Sequence, residues 1–433
     1  MRGIVSYGAY LPHRRLDRAE IAPVAGTGGG KGTRTVASFD EDTTTMGVEA
    51  ARLALRAAPD HNPAALWFAT VAPAYLDKTN ATAIHAALRL DTSAIAADFG
   101  GALRSGTAAL RAALAGPDSA LVVTADIRTG LPGSADEANG GDAGAALLVG
   151  DEGVIAECIG VAAATSEFTD RWRTPGDIRS KVWEERFGET QYVPLGEQAW
   201  NEALKAARLT AEQVDRIIVT GPHQRAVNAF ARKISAGDRL VSDLAASVGY
   251  TGAASPALLL GAALDEATPG QVVALVSLAD GADVLLFRTT DAISSYSAAK
   301  PIAAQTVAGA PIPYGKYLAW RGLLPVQPPN RPEPARVSAS AAGRSVDWKY
   351  GFAGHADVVG TITTFTIDRL AYSPSPPVVF AVVDFEDGER QPLELADADV
   401  SEVAIGKKVE MTFRRLFTAD GLHNYFWKAR LVR

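Results

Sequence analysis

Gly100-Gly101-Ala102-Leu103-Arg104-Ser105-Gly106-Thr107-Ala108-Ala109-Leu110 decides the fold. The β-type run Ile95-Ala96-Ala97-Asp98-Phe99 enters its Gly-Gly turn, and a helix of small residues follows through Leu114 until Gly116-Pro117 ends it. This is a sharp strand-to-helix elbow. Glycine lets the backbone turn tightly, and the free N–H groups of a helix start can hold an anion or a developing oxyanion. Enzymes with such an elbow usually carry a nucleophile at the apex, where the helix N-terminus lowers a thiol pKa. Here the apex is Leu103, which cannot carry an acyl group.

Outward from the elbow, the chain repeats itself. Val248-Gly249-Tyr250-Thr251-Gly252-Ala253-Ala254-Ser255-Pro256-Ala257-Leu258 opens a second helix as Phe99 to Leu110 opens the first. Thr45 to Leu55 followed by Pro63 to Thr70 has a counterpart in Pro194 to Leu204 followed by Val214 to Thr220. Each elbow helix leads to an apolar strand, Ser119 to Thr124 and Gln271 to Ser277, and each half closes on a Gly/Asp turn and another strand. Two copies of one α/β unit therefore face each other, with the elbow helices near the middle and a site between the copies.

The length of 433 residues exceeds one ordinary domain, and the composition, 47% hydrophobic and 21% charged, is that of a soluble α/β protein of two or three domains. A net charge of -7 argues against nucleic acid, which needs clustered Lys and Arg. No apolar run has the length of a membrane span, and the chain opens directly on the strand-like Gly3-Ile4-Val5-Ser6-Tyr7, so a cytoplasmic location is expected. The single cysteine, Cys158, excludes an internal disulfide and reads as a buried thiol on a strand. Gly26 to Thr33 imitates a phosphate loop, but Ala25 holds the opening place and Gly32 follows Lys31, so it reads as a surface loop. Asp40 to Thr45 supplies caps for a helix over Met46–Ala58. Asp126-Ile127-Arg128-Thr129-Gly130 borders the pocket and is read as a loop salt bridge. Ser166 to Gln191, between the copies, shapes a substrate entrance, with a solvated insertion or a dimer contact equally open.

The duplicated unit, Asp42-Thr43-Thr44-Thr45-Met46, Tyr75-Leu76-Asp77-Lys78, the Gly-Gly elbow and Gly141-Asp142-Ala143-Gly144-Ala145-Ala146 resemble the thiolase superfamily. The branch is that of hydroxymethylglutaryl-CoA synthase and ketoacyl synthase III, and the similarity covers about residues 1 to 293. The resemblance implies an αβαβα body, a homodimer, and acyl-CoA or an acyl-carrier protein as partner, with no cofactor beyond the thioester substrate. In that family a Cys at the elbow takes the acyl group, a His and often an Asn act on the thioester, and the synthases add a Glu. Carried onto this chain, Leu103 stands in the Cys place, Val71 in the Glu place and Tyr250 in the Asn place, while His223 in Thr220-Gly221-Pro222-His223-Gln224 matches the His.

The expected catalytic residues are therefore His223, as general base or as donor to a thioester carbonyl, and Tyr250, as proton donor or acceptor. Leu103, Ala102, Val71 and Arg104 are expected to bind substrate, Arg104 through its charge rather than in the chemistry. These parts suit an aldol, retro-aldol or Claisen-type step on an acyl thioester without a cysteine nucleophile. A silent thioester-binding or partner-binding scaffold, in which His223 and Tyr250 are packed remnants, and a direct acyltransferase are the alternatives.

From about Ser294 the composition turns to Ala, Ser and Pro, with Gln327 to Pro334 as a stiff linker and Tyr314 to Arg321 as a short docking helix. Val358 to Ile367, Val378 to Phe385, Gln391 to Leu395, Lys408 to Arg415 and Asn424 to Leu431 alternate like the strands of a small closed barrel. With Trp348-Lys349-Tyr350-Gly351-Phe352, Ser373-Pro374-Ser375-Pro376-Pro377 and Ile405-Gly406-Lys407-Lys408-Val409, this tail resembles the acyl-CoA-associated OB-fold domain. Such domains usually begin with a four-cysteine zinc ribbon. Phe352 to Asp357 leads almost directly into the first strand, so no zinc is expected. The expected fold is α/β: a duplicated thiolase-like αβαβα body (halves 1–165 and 166–293), a linker over 294–346 and an all-β OB-fold barrel over 347–433.

Overall fold

The structure, a computed structural model, describes residues 1–333 and 357–433. The expected signatures at Trp348 to Phe352 and Phe352 to Ala356 lie outside the described residues. Nine strands form one sheet: β1 (Gly3–Tyr10), β2 (Ala65–Thr70), β3 (Ile95–Gly100), β4 (Ala120–Asp126), β5 (Ala143–Gly150), β6 (Ala156–Ala164), β7 (Arg216–Thr220), β8 (Val272–Leu278) and β9 (Ala282–Thr289). Their order is β7-β8-β9-β6-β1-β5-β4-β2-β3. The two halves trace the same path. β1, β5 and β4 pair antiparallel and β4, β2 and β3 run parallel; β6, β9 and β8 pair antiparallel and β8 and β7 run parallel. In the second half the place of β3 is reduced to a single bridge between Ile217 and Leu240.

Alternation along the strands separates the layers. Leu66 and Phe68 of β2 pack under the helix α1 (Thr43–Arg56), whereas Ala65 and Ala69 face the elbow helices, α2 (Ser105–Ala115) and α3 (Ser255–Asp265). In the second half the long helix Glu185–Ala207 covers the outer face, and Ile218 and Val273 turn inward. The layers therefore run α, β, α, β, α. α1 begins three residues before the expected Met46, because Asp42 accepts the Thr45 N–H and donates its own N–H to the Thr45 hydroxyl, both at 2.9 Å. The elbow helices meet where α2 has no side chain: a Cβ on Gly106 would lie 2.3 Å from the Ala253 carbonyl oxygen.

The expected linker is in part docked structure. Ile302–Val307 and Tyr314–Trp320 are helical; Gln305 bonds the backbone of Ala9 and Leu11, and the Tyr314 hydroxyl donates to the buried Glu137 carboxylate. Beyond it, β10 (Gly360–Asp368), β11 (Val378–Phe385), β12 (Arg390–Glu394), β13 (Lys408–Ala419) and β14 (Leu422–Leu431) form an antiparallel sheet in the order β12-β11-β10-β13-β14. A bridge from Leu395 to Ala429 brings its ends together. Tyr425 and Trp427 are core residues, with Phe426 half-buried between them, and the barrel shares one apolar cluster with α1 and β2. Across the same seam, Arg414 of β13 is fully buried between Asp40 and Glu41 of the body and Asp397 of the barrel.

Candidate functional site

At the elbow, β3 ends on Gly100, Gly101 turns at φ +93°, and α2 starts at Ser105. A Cβ on Gly100 or Gly101 would touch nothing, because the turn borders a cavity of about 640 Å³. Leu103, Ala102 and Val71 line it, with Tyr75, Tyr192 and Asp280 around them. The insertion between the halves supplies Arg171, Trp172 and Arg173 to its lining.

His223 and Tyr250 lie together, but in a neighbouring chamber of about 460 Å³. The two spaces share Arg128, Arg171 and Pro222 as a common wall. His223 caps the helix Gln224–Lys233: its Nδ1 accepts the Ala226 N–H at 3.0 Å, which leaves the proton of the neutral ring on Nε2. That Nε2 is buried with no hydrogen-bond partner among the described residues. The geometry thus selects the donor role over the general base. Burial pushes the Tyr250 phenol well above its ordinary range, against the pull of Arg128, so Tyr250 is a neutral hydroxyl.

Asp126 ties the halves together beside the cavity. Its carboxylate accepts the N–H groups of Val71 (2.8 Å) and Ala253 (2.6 Å) and the Thr70 hydroxyl (3.0 Å), and burial raises its pKa. Arg104, expected to bind substrate through its charge, is not among the residues that line the cavity. Its guanidinium is spent on Asp283 at 2.7 Å, Thr165 at 2.9 Å and the Asp280 carbonyl at 2.8 Å, because an arginine next to a buried aspartate neutralises it. The loop salt bridge expected of Arg128 is also absent: among the described residues its guanidinium has no carboxylate within 4.0 Å and instead lies 5.9 Å from the Tyr250 ring centre. Cys158 sits on β6 outside both spaces, its thiol pushed up to about 11 by burial.

Two groups were not singled out from sequence. The Asp280 carboxyl opens on the cavity, and burial, then the nearby Asp170, raises its pKa. Its signal is the Gly/Asp turn that closes the second half. Tyr192, whose hydroxyl donates to Asp170 at 3.1 Å, is hidden in a long helix where an aromatic reads as core. At the rim, Tyr75 is fastened by the barrel: the His423 N–H donates to its hydroxyl at 2.7 Å and the rings stand 5.3 Å apart.

A hydroxymethylglutaryl-CoA synthase of Methanosphaera stadtmanae is 30% identical over 306 residues, which cover 67% of this chain and 88% of that protein. The chain belongs to the hydroxymethylglutaryl-CoA synthase family. A solved hydroxymethylglutaryl-CoA synthase complexed with CoA matches the fold with a TM-score of 0.64 at 19% identity, covering 73% of this chain and 89% of that one. The 3-oxoacyl-(acyl carrier protein) synthase III of Pseudomonas aeruginosa follows at 0.60 and 20%, covering 67% and 98%. Residues 356–414 match the family described as ChsH2, C-terminal OB-fold domain. This member of the synthase family therefore has a thiolase-like body and an OB-fold domain, with leucine where the elbow presents its side chain to the cavity.

Proposed function

We propose that the protein acts on an acyl thioester of coenzyme A or of an acyl-carrier protein, making or breaking a carbon–carbon bond without an acyl-cysteine. Membership of the synthase family supports the thioester. Leu103 at the elbow carries the second part: the apex side chain cannot take an acyl group, and the one thiol, Cys158, is elsewhere and held protonated. In the aldol direction of cleavage, a β-hydroxyl loses its proton and the Cα–Cβ bond breaks. Its electron pair passes into the thioester enolate, which then takes a proton at Cα. The His223 Nε2–H and the Tyr250 hydroxyl are donors to developing negative charge, and the Asp280 carboxyl is the proton acceptor on the elbow side.

Mass spectrometry of β-hydroxyacyl and acyl thioesters incubated with the protein tests this reading. Wild type should convert a member of the panel with no mass added to the protein, and His223→Ala should be slower by about 100-fold or more. Thioester binding without turnover would instead make the chain a scaffold.

The homodimer is proposed on the edge strand β3, where Ile95 is 57% exposed. Light scattering should give twice the chain mass, and Ala96→Pro should halve it by removing an outward ladder N–H, since Ile95, and by alternation Ala97, turn theirs toward β2. A monomeric wild type at all concentrations rejects this pairing. No helix of the described residues is long and apolar enough to cross a membrane, which supports the proposed cytoplasmic location.

A further inference from the structure

An arginine without an acid is buried where body, linker and barrel meet. Arg15, on the short strand Arg14–Asp17, is only 9% exposed. Its guanidinium donates to the carbonyl oxygens of Pro12, of Arg14 at 3.2 Å and of Gln305 at 2.8 Å, and among the described residues to no carboxylate. A carbonyl carries only a partial charge, so the net positive charge is left standing. The Arg15 Nε is buried with no partner among the described residues. Burial presses the Arg15 pKa down to about 10, and no carboxylate holds it up. Gly309 gives the guanidinium its room: a Cβ there would lie 3.1 Å from the Arg15 Cζ.

Arg15 lines a cavity of about 50 Å³ whose walls come from all three parts of the chain. Lys300 enters it from the linker, and Asp397, Glu410, Arg430 and Arg433 from the barrel. Both carboxylates are already taken. Arg414 holds Asp397 at 2.8 Å, and Arg430 holds Glu410 at 2.8 Å and Glu49 at 3.1 Å. Arg433 is paired with Glu402 at 2.8 Å. Lys300 has no ion pair among the described residues, and burial, then Arg430, press its pKa down against Glu410 and Glu49. On the same wall the His13 Nε2 is buried without a partner among the described residues, and burial lowers the His13 pKa to about 4, so the ring is neutral. A guanidinium and an ammonium brought together in a partly buried space are costly unless an anion joins them.

We propose that this cavity binds one small monovalent anion of the size of chloride, held by Arg15, Lys300 and His13, and that the anion ties linker and barrel to the body. Size selects the class. A water takes ~30 Å³, so the space admits an ion and little else, and a phosphate with its four oxygens does not fit. The guanidinium suits such a place, being more weakly hydrated than an ammonium and less costly to bury beside an anion. The proposal is independent of the thioester reading, because the cavity shares no lining residue with either chamber of the candidate site.

Chlorine NMR line widths of sodium chloride with the full chain test it, gluconate, which is too large for the cavity, keeping the ionic strength constant. Wild type should broaden the line in a saturable way, and bromide should displace the bound ion. Arg15→Met, which keeps an apolar stem and loses the charge, should weaken chloride binding by about tenfold or more, and Lys300→Gln should weaken it less. Replacing gluconate by chloride should raise the melting temperature of wild type by about 2 °C, and that of Arg15→Met not at all. Should Arg15→Met fail to fold, Lys300→Gln carries the test, since its side chain is half-exposed and bears no structural bond. Broadening that grows linearly with chloride, or that is equal in wild type and in whichever variants fold, overturns the proposal, because scattered surface cations would then account for it. So does displacement by coenzyme A as effective as that by bromide, since the site would then take a phosphate ester.

Discussion

Gly106→Val is expected to destabilise the body by about 3 kcal/mol. A Cβ at this position would sit 2.3 Å from the Ala253 carbonyl oxygen, and a backbone atom cannot swing aside as the end of a flexible side chain can. The elbow helices would have to separate, opening the apolar layer in which Ala109, Leu110, Leu258 and Leu259 are buried. The same movement displaces the start of α2 and with it Leu103, so thioester binding should fall together with stability. Denaturant unfolding of the purified variant checks the first effect and calorimetry the second. A variant within about 0.5 kcal/mol of wild type, the usual range for an innocuous surface change, would show that the helices are not held at this distance.

Arg414→Met should cost about 3–5 kcal/mol and loosen the barrel from the body. The Arg414 guanidinium is fully buried, 2.8 Å from Asp397, 3.0 Å from Glu41 and 3.3 Å from Asp40, and it also donates to the Tyr10 hydroxyl at 3.0 Å. Methionine fills much of its volume but leaves carboxylates facing one another in a dry seam, where Lys428 still answers Asp40 at 2.9 Å. Limited proteolysis should cut the variant between the two units under conditions that spare wild type. Because His423 of the barrel fastens Tyr75 at the cavity rim, the variant should also bind thioester more weakly. The seam has a pH signature of definite sign. Burial pushes the Glu41 carboxyl up to about 7, with Arg414 pulling the other way, since one guanidinium is shared among three acids. A folded pKa above the unfolded value means stability present below about pH 4.5 and lost as pH rises through about 7. Wild type should therefore lose melting temperature between about pH 5 and 8, and Glu41→Gln, which mimics the protonated form, should flatten that slope. An unchanged slope in Glu41→Gln would assign the titration elsewhere.

The sequence by itself determined the repeat, the elbow and the barrel. Each rests on local chemistry: a Gly-Gly turn before small residues, apolar runs at strand length, alternation between turn residues. Leu103 at the apex and the lack of any cysteine near it were equally plain, because identity at one position needs no structure. Ile95 to Phe99 and Val378 to Phe385 were legible for the same reason, their patterns being complete within a few residues. Only the tertiary structure decided how charges are shared. Arg104 is consumed by Asp283, 179 residues away, while Arg128, read as a salt-bridged loop residue, runs between Gly140 and Gly252 beside the buried Asp126. It also decided that His223 and Tyr250 occupy a chamber beside the elbow cavity and that the cap on Ala226 leaves His223 a donor. Turns and periodicity are set by neighbours along the chain, but the partner of a guanidinium or an imidazole is whichever group the fold carries to it.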